Sequence, residues 1–488
     1  NYITTFLAQK TPSQFTITYS DIDVNILSGT IALHNTSIKT KNTDTLQNQS
    51  YLKSEMLQIK GIGYWNLLFK KTLSINNFVL KNPQLNYDSY KHSDFGKTKN
   101  NANTTKLKTI IIKQININNG SLNVIKQNTD SSNFSVSSYN LTLLGSKIDL
   151  QDKASTPLTY DNFKIEAQNI VSEKSDFETF KIDTLYTNEK SIHIDNLQIT
   201  PKYNKEELSK HLSIERDYMD LNISKIILNK LHFNFNDTRF GIKATAVNII
   251  TPNLEIYRDK LLPDDVTTKP LYSKSLRDLA FNLEINQVNI KDGYISYAEL
   301  VELDTKAGKI YFNKVDASIK HISNLKHTEK TDIKILSKLM GKAPLELNWN
   351  FDVNNTPDSF LVSGEIRDLP AKVLNPFFKP NLNAVTQGTL QQMYFTFYGN
   401  NTKSKGEIKM KYDDFKFKIL RENGFEINKV LTAIGNIFVN DGSKTNAEGF
   451  RFGNIEAERD TTKSFFNYLW INIKSGIIST VTSNGKKQ

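Results

Sequence analysis

The sequence predicts a mainly β fold: a twisted antiparallel sheet with short helices at its joints and amphipathic helices at its C-terminal end. Three observations predict it. Apolar and polar residues alternate along many stretches of the 488-residue chain, which is typical of half-buried strands. One alternating pattern recurs several times, which indicates a repeat architecture. Helical spacing of apolar residues is confined to short stretches and to the C-terminal region.

The clearest copy of the recurring pattern is Phe281–Tyr297, with the sequence FNLEINQVNIKDGYISY. Its apolar residues alternate as far as Ile285 and resume at Val288, one position out of phase. Such a slip turns a strand's apolar set to the other face of the sheet, unless a β-bulge absorbs it. The pattern therefore predicts a change of face or a bulge at Asn286–Gln287. A hairpin-type turn is predicted at Asp292–Gly293.

The same strand–bulge–turn–strand pattern occurs in further stretches of the chain. Copies without a gap begin at Leu73, Ile110 and Leu221, and looser copies begin at Phe15 and Ile192. In the copy that begins at Ile110, the predicted turn is at Asn119–Gly120. Chance alternation in a β-rich chain is the competing explanation. The number of gapless copies favours a true internal repeat.

Breaks in the alternation predict the remaining elements. Short helical segments are predicted at Gly61–Phe69, Lys205–Met219, Ser275–Asp278 and Ile333–Met340, and amphipathic helices at Ile427–Phe438 and Lys463–Val481. Two prolines mark a joint near residues 259–278. No linker separates independent domains, so residues 1–425 are predicted to form one continuous sheet. Residues 426–488 are predicted to form a C-terminal helical segment that caps the sheet or contacts a membrane.

Composition and motifs argue against several classes of function. The chain has no cysteine, and its seven histidines show no metal-ligand spacing. No nucleophile, P-loop or RNA-binding signature is present. The net charge of +11 would suit an anionic surface, but the lysines are spread along the chain, which favours solvated strand faces. We therefore predict no catalytic residues, metal or other cofactor, no nucleic-acid partner and no enzymatic activity.

A sheet with one continuous apolar face has to bury that face. Too few helices are predicted to cover it, so the sheet either closes on itself as a sandwich or holds an apolar ligand in a groove. The residues predicted to line a lipid-binding groove are Ile110, Ile112, Ile115, Ile117, Ile223, Ile226, Phe281, Leu283, Ile285, Val288 and Ile290.

The C-terminal helix carries one apolar stripe at helical spacing. Its predicted contact residues are Phe466, Leu469, Trp470, Ile473 and Ile477. An aromatic-rich stripe with lysines nearby suits a membrane interface. The alternative is that the stripe caps the open end of the repeat array. The thin polar face of the helix slightly favours capping.

Several of these stretches resemble AsmA-like proteins of the bacterial envelope, of the kind found in Bacteroidota-type bacteria. The resemblance is carried by apolar patterns, turns and glycines over most of the chain, in Thr18–Thr40, Tyr64–Tyr87, Leu276–Leu300, Gly388–Leu420 and Lys463–Ile477. It implies an elongated repeating β-groove, related to the bridge-like lipid-transfer proteins. It also implies a periplasmic location, with a tether to the inner membrane by an N-terminal segment outside this sequence.

Together these observations predict a lipid-binding or lipid-transfer protein of the envelope that shields acyl chains in an apolar groove. Its predicted partners are a phospholipid or other acyl lipid and a membrane surface. The alternative is a scaffold or accessory subunit of an outer-membrane protein assembly or translocation complex, and the sequence does not separate the two.

Overall fold

The computed structural model describes residues 15–40, 50–88, 107–125, 132–150, 158–173, 175–235, 239–326, 329–419 and 446–482. The predicted mainly β fold is confirmed: the described strands form one large, mixed, mostly antiparallel sheet of 23 strands with few helices. The chain divides into two compact units, Asn1–Thr200 and Pro201–Gln488. The predicted division after residue 425 lies outside the described residues and stays a prediction.

The first unit contains one described helix, α1 (Tyr64–Lys70). Its strands are β1 (Phe15–Thr18), β2 (Asp21–Asn25), β3 (Thr30–Thr40), β4 (Tyr51–Lys60), β5 (Thr72–Lys81), β6 (Gln84–Asp88), β7 (Thr109–Ile125), β8 (Ser132–Asp149), β9 (Leu158–Thr159), β10 (Asn162–Glu173), β11 (Glu178–Asn188) and β12 (Ser191–Pro201).

Hydrogen bonding sets the order of these strands. Strands β1 and β2 both pair with β3, which pairs with β4, and β4 pairs with β5 and β6. Strand β7 then runs parallel to β5 and β6. The antiparallel pattern resumes from β7 to β8, β10 and β11, with the short β9 beside the end of β8.

Most of the described helices lie in the second unit. These are α2 (Lys205–Lys210), α3 (Tyr272–Arg277), α4 (Asn375–Leu382), α5 (Phe465–Thr482) and a 3-10 turn at Ala371–Leu374. Its strands are β13 (Asp217–Asn229), β14 (His232–Phe235), β15 (Phe240–Asp259), β16 (Asn282–Leu300), β17 (Gly308–Ser323), β18 (Thr331–Leu339), β19 (Ala343–Phe351), β20 (Phe360–Pro370), β21 (Ala384–Gly399), β22 (Lys403–Ile419) and β23 (Arg451–Glu458).

The second unit repeats the strand arrangement of the first. In the first unit, β4 pairs antiparallel with two successive strands, β5 and β6. In the second unit, two successive strands, β13 and β14, pair antiparallel with the long strand β15. Strand β16 runs parallel to β15, as β7 does to β5 and β6. From β16 to β23 each strand pairs antiparallel with the next.

The predicted hairpin turns at Asp292–Gly293 and Asn119–Gly120 are wrong, because β16 and β7 run straight through them. Asp292 and Asn119 each have φ +52° instead, and the register with the next antiparallel strand shifts at these points. Of the two alternatives predicted at Asn286–Gln287, the structure has the change of face and not the bulge. The pairing of β16 with β17 keeps one register from Glu284 to Ile290.

Left-handed residues occur inside many of the long strands. They are Asn35 in β3, Asn119 in β7, Gly145 in β8, Asn169 in β10, Asn196 in β12, Thr251 in β15, Asp292 in β16, Lys314 and His321 in β17, Asp368 in β20, Gly388 in β21 and Asp414 in β22, with Asn82 between β5 and β6. Asn and Asp tolerate this conformation better than most residues. The register with a neighbouring strand shifts beside Asn119, Asp292 and Lys314, and it is kept across Asn35, Asn169 and Thr251. Ala167 and Ile170, on either side of Asn169, both belong to one buried cluster.

The helix predictions have mixed outcomes. Helices at Gly61–Phe69 and Lys463–Val481 are confirmed as α1 and α5, and Ser275–Asp278 overlaps α3. The helix predicted at Ile333–Met340 is wrong, because this segment lies in β18 and pairs on both sides. Only the start of Lys205–Met219 is helical, as α2. The helix predicted at Ile427–Phe438 lies outside the described residues.

A buried carboxylate connects the start of α5 to β15 in the second unit. The side chain of Glu215 is 2% exposed and lies 2.5 Å from Lys260 Nζ, 3.6 Å from the Arg258 guanidinium and 3.3 Å from Lys463 Nζ. Burial alone would raise the pKa of the Glu215 carboxyl. The hydrogen bond from Lys260 and the three positive charges outweigh burial, so the pKa lies below its usual value.

Replacing this carboxylate should weaken the fold in a pH-dependent way. At pH 7 we expect Glu215→Gln to lower the free energy of unfolding by about 1–3 kcal/mol, since hydrogen bonds to a charged group are lost. A carboxyl group whose pKa is lower in the folded state stabilises the fold at pH values above its unfolded pKa. This contribution disappears as the pH falls through the folded pKa. Urea unfolding at pH 7 and at progressively lower pH should therefore show the gap between variant and wild type closing. Glu206→Gln, at a side chain 85% exposed, is the control and should change little. A gap that does not change with pH would contradict this role for Glu215.

Candidate apolar binding face

Six neighbouring strands of the first unit place apolar side chains opposite one another in two rows. One row is Ile31, Ile59, Phe78, Ile115, Leu143 and Phe163, and the other is Leu33, Leu57, Leu80, Ile117, Leu141 and Ile165. Residues paired across neighbouring strands point to the same side of a sheet. We call these residues the first apolar face.

The first apolar face is only partly shielded from solvent. Leu33 and Leu80 are buried, and the other ten side chains are half-buried. Helix α1 buries none of its own residues. Among the described residues of this unit, therefore, no helix covers the face as a helix covers the core of an ordinary layered domain.

The second unit continues the same design over more strands. One row is Leu228, Val247, Val288, Ile319, Ile333, Trp349, Val362 and Phe397. The next row is Ile226, Ile249, Ile290, Ala317, Ile335, Leu347, Gly364, Phe395 and Ile408. Gly364 stands in this row because the ring of Phe395 occupies the space that a side chain there would need. These two rows form the second apolar face.

Burial changes along the second apolar face. Val362, Phe397 and Ile408 are at most 1% exposed and belong to a large core cluster that α5 helps to close. Phe465 of α5 stacks on Trp349 at 4.3 Å between ring centroids. Further from α5, residues such as Ile290 are only half-buried. The C-terminal part of this face is thus a closed core, and the remainder is less completely covered.

The other side of the sheet carries ladders of amide side chains. In the first unit, Gln114 Nε2 donates to Asn116 Oδ1 at 3.0 Å, and Asn116 Nδ2 donates to Asn77 Oδ1 at 3.1 Å. In the second unit, Gln287 donates to Asn289 at 2.7 Å, and Asn289 donates to Asn248 at 3.0 Å. Both parallel strand pairs therefore have one apolar and one partly polar side.

The residues predicted to line a single groove lie on both sides of the sheet. Strands β7 and β16 have no bulge at the first phase slip. Their apolar residues therefore lie on one side of the sheet before the slip and on the other side after it. Ile115, Ile117, Ile226, Val288 and Ile290 lie on the apolar faces, whereas Ile110, Ile112, Leu283 and Ile285 lie on the opposite side with the amide ladders. Ile223 is 8% exposed opposite Pro252, and Phe281 precedes β16 and packs against Phe240.

One copy of the repeat was missed from sequence, although it forms the strand parallel to β16. In β15, Val247 and Ile249 precede Thr251–Pro252, and Leu254 follows, which matches the spacing around Asp292–Gly293. The small residue Ala244 stands where the other copies have isoleucine, and this hid the pattern. The Thr–Pro pair at the turn position was the available signal.

Helix α5 covers the outer edge of β23. Ser479 Oγ accepts a hydrogen bond from the Asn454 N–H at 2.8 Å, and Ser475 Oγ accepts one from the Glu456 N–H at 3.2 Å. An uncovered strand edge would present these N–H groups for pairing with another chain. This geometry supports the capping alternative for the C-terminal helix.

The predicted apolar stripe is not the buried face of α5. The buried residues are Phe465, Tyr468, Asn472, Gly476 and Thr480. Leu469, Trp470, Ile473 and Ile477 lie half-buried on the adjacent flank, where the ring of Trp470 packs 6.1 Å from that of Phe378. Phe466 is 63% exposed.

Within the described ranges, no three His, Asp or Glu side chains gather closely enough to hold a metal ion. None of the helices there combines the length and apolarity needed to cross a bilayer. Neither the known family models nor the curated proteins give a match to this chain.

Proposed function

We propose that this protein is a non-enzymatic lipid-binding protein whose apolar faces shield acyl chains from water. The observation that carries the proposal is the first apolar face, with two rows of apolar side chains across six strands, most of them half-buried. Apolar surface in water is unfavourable, and covering it with hydrocarbon contributes about 0.8 kcal/mol per buried methylene.

The dimensions of the first apolar face suit an acyl chain. Neighbouring strands lie about 4.8 Å apart, so six strands span roughly 24 Å. One leaflet of a bilayer has a hydrocarbon depth of roughly 15 Å, which is half of the whole core. A single acyl chain therefore fits across the face, while a lipid headgroup stays in water.

The resemblance to AsmA-like proteins extends this proposal to place and process. It favours a phospholipid as the ligand, transfer of lipid through the bacterial periplasm as the role, and a tether to the inner membrane. In this proposal the protein supplies a passive path and carries out no reaction.

Mass spectrometry of organic extracts tests the proposal. The protein is purified from a native membrane source without detergent, and extracted lipid is quantified per mole of protein. We expect acyl lipid at one or more molecules per chain. Protein that is free of lipid would contradict the proposal, and recovery of a stoichiometric outer-membrane protein without lipid would favour the scaffold alternative.

A further inference from the structure

An exposed apolar patch lies in the first unit, next to the end of the β3–β4 pairing where the first row begins with Ile31 and Ile59. It consists of residues from helix α1 and from the turn between β2 and β3. In α1, Trp65 is 69%, Leu68 74% and Phe69 66% exposed, and in the turn Ile26 is 72% and Leu27 100% exposed. We call these five residues the N-terminal apolar patch.

Backbone hydrogen bonds hold the two parts of the patch together. The Ile62 N–H, just before α1, donates to Gly29 O at 3.0 Å, and the Gly29 N–H donates to Ile26 O at 3.2 Å. Within α1, the rings of Trp65 and Phe69 lie 4.2 Å apart. The patch is thus a fixed feature of two adjoining elements rather than a set of scattered surface residues.

None of the five side chains is buried in the fold. Contiguous exposed apolar surface on a protein commonly marks an interaction site. The mixture of Trp, Phe and Leu also matters, because aromatic residues are enriched where a protein meets the boundary between lipid and water.

The lysines beside the N-terminal apolar patch indicate which kind of surface the patch binds. Lys70 and Lys71 follow the patch directly, and both are exposed. The backbone N–H of Lys108, another exposed lysine, donates to Lys71 O at 2.8 Å, which places a third lysine beside them. The sequence has no Asp or Glu in residues 24–40 or 56–87. Asp149 pairs opposite Thr109, beside Lys108, whereas Lys70 and Lys71 lie in a stretch without carboxylates. Exposed apolar side chains followed directly by these two lysines complement an anionic lipid surface.

We propose that the N-terminal apolar patch docks the protein on an anionic bilayer. Leu27, Leu68 and Phe69 enter the boundary between headgroups and acyl chains, Trp65 lies at headgroup level, and the two lysines that follow the patch contact lipid phosphates. This docking site is separate from α5, where a membrane contact was predicted from sequence. It does not depend on whether the first apolar face holds lipid.

Vesicle co-sedimentation of the full chain tests the proposal. Vesicles of phosphatidylcholine alone and of phosphatidylcholine with phosphatidylglycerol are compared at low and high salt. Wild-type protein should bind the anionic vesicles at least tenfold more tightly than the neutral ones, and high salt should weaken this binding. Leu27→Ser with Leu68→Ser should lower binding at least tenfold. Lys70→Gln with Lys71→Asn should remove the preference for anionic vesicles.

The matched control removes equally exposed apolar residues from the second unit. Val266→Ser with Leu303→Ser changes side chains that are 78% and 73% exposed, and vesicle binding should be unchanged. All variants should keep the wild-type unfolding midpoint. Their co-purified lipid is measured in parallel, so loss of vesicle binding is distinguished from loss of lipid on the apolar face.

A spectroscopic test locates the contact. Vesicles made with brominated lipid should quench wild-type tryptophan fluorescence, and Trp65→Phe should abolish most of this quenching. Equal vesicle binding by the Leu27/Leu68 variant and the Val266/Leu303 control would overturn the proposal. So would self-association of the wild type that the Leu27/Leu68 variant loses without any change in vesicle binding, since the patch would then join two copies of the chain.

Discussion

Replacing Tyr468 with alanine should lower the free energy of unfolding by about 3–5 kcal/mol, as other large-to-small changes of buried aromatic residues do. Tyr468 is 1% exposed in the first turn of α5. Its ring packs edge-on against Phe360 at 5.7 Å, and Phe360 in turn contacts Phe465 at 5.3 Å. Removing the ring leaves a cavity at the point where α5 closes the core of the second unit.

The helix provides its own control two residues earlier. Phe466→Ala removes a ring of similar size from a position that is 63% exposed, so we expect a change within about 0.5 kcal/mol. Urea unfolding followed by circular dichroism measures both variants. If α5 served a membrane instead of capping the sheet, Tyr468→Ala would leave stability nearly unchanged. Equal effects of the two substitutions would therefore contradict the capping role.

The fold class was predictable because strand alternation is a local signal. It survives in β7, β16 and most of the other long strands, since one side of each strand faces an apolar layer. The helix prediction at Ile333–Met340 failed because the last residues of that segment, LSKLM, lack alternation. There, pairing of β18 with β17 and β19 outweighs the local pattern.

Which residues share a face could not be read from the sequence alone. A one-residue slip has two physical solutions, a change of face or a bulge, and the copies in β7 and β16 contain both. Between Ile112 and Ile115 the strand changes face, because the pairing of β7 with β8 continues without a shift. Around Asn119 the left-handed backbone and the shifted register mark the bulge. The Asn–Gly pair was the correct signal for the irregularity, but it was interpreted as a turn.

The buried face of α5 was hidden for a different reason. Hydrophobic periodicity selects the most apolar stripe, but the edge of β23 requires acceptors for backbone N–H groups and close backbone approach. Ser475 and Ser479 supply the acceptors, and Gly476 lets the helix lie against Ile455 and Ile408. These needs arise from tertiary structure and leave no apolar signature in the sequence.

Adjacent leucines on β8 offer the sharpest test of the proposed function. Leu143 belongs to the first apolar face, paired with Ile115 and Phe163. Leu144 points to the opposite side, opposite Gln114, and is 39% exposed. The two residues have the same side chain and are neighbours in one strand, and they differ in the face of the sheet on which they lie.

Replacing Leu143 with aspartate should reduce co-purified acyl lipid at least about tenfold. The change removes the apolar contact of a leucine, worth about 1.5–3 kcal/mol, and leaves a carboxylate whose desolvation opposes lipid binding. Since about 1.4 kcal/mol corresponds to a tenfold change in affinity, the loss should be readily measured by mass spectrometry of extracted lipid. Leu144→Asp should keep wild-type lipid content, because its carboxylate lies on the side with the amide ladders. Circular dichroism and urea unfolding of both variants separate loss of lipid from loss of fold. If the face is instead a closed core, wild-type protein will carry no lipid, and Leu143→Asp will act on stability alone.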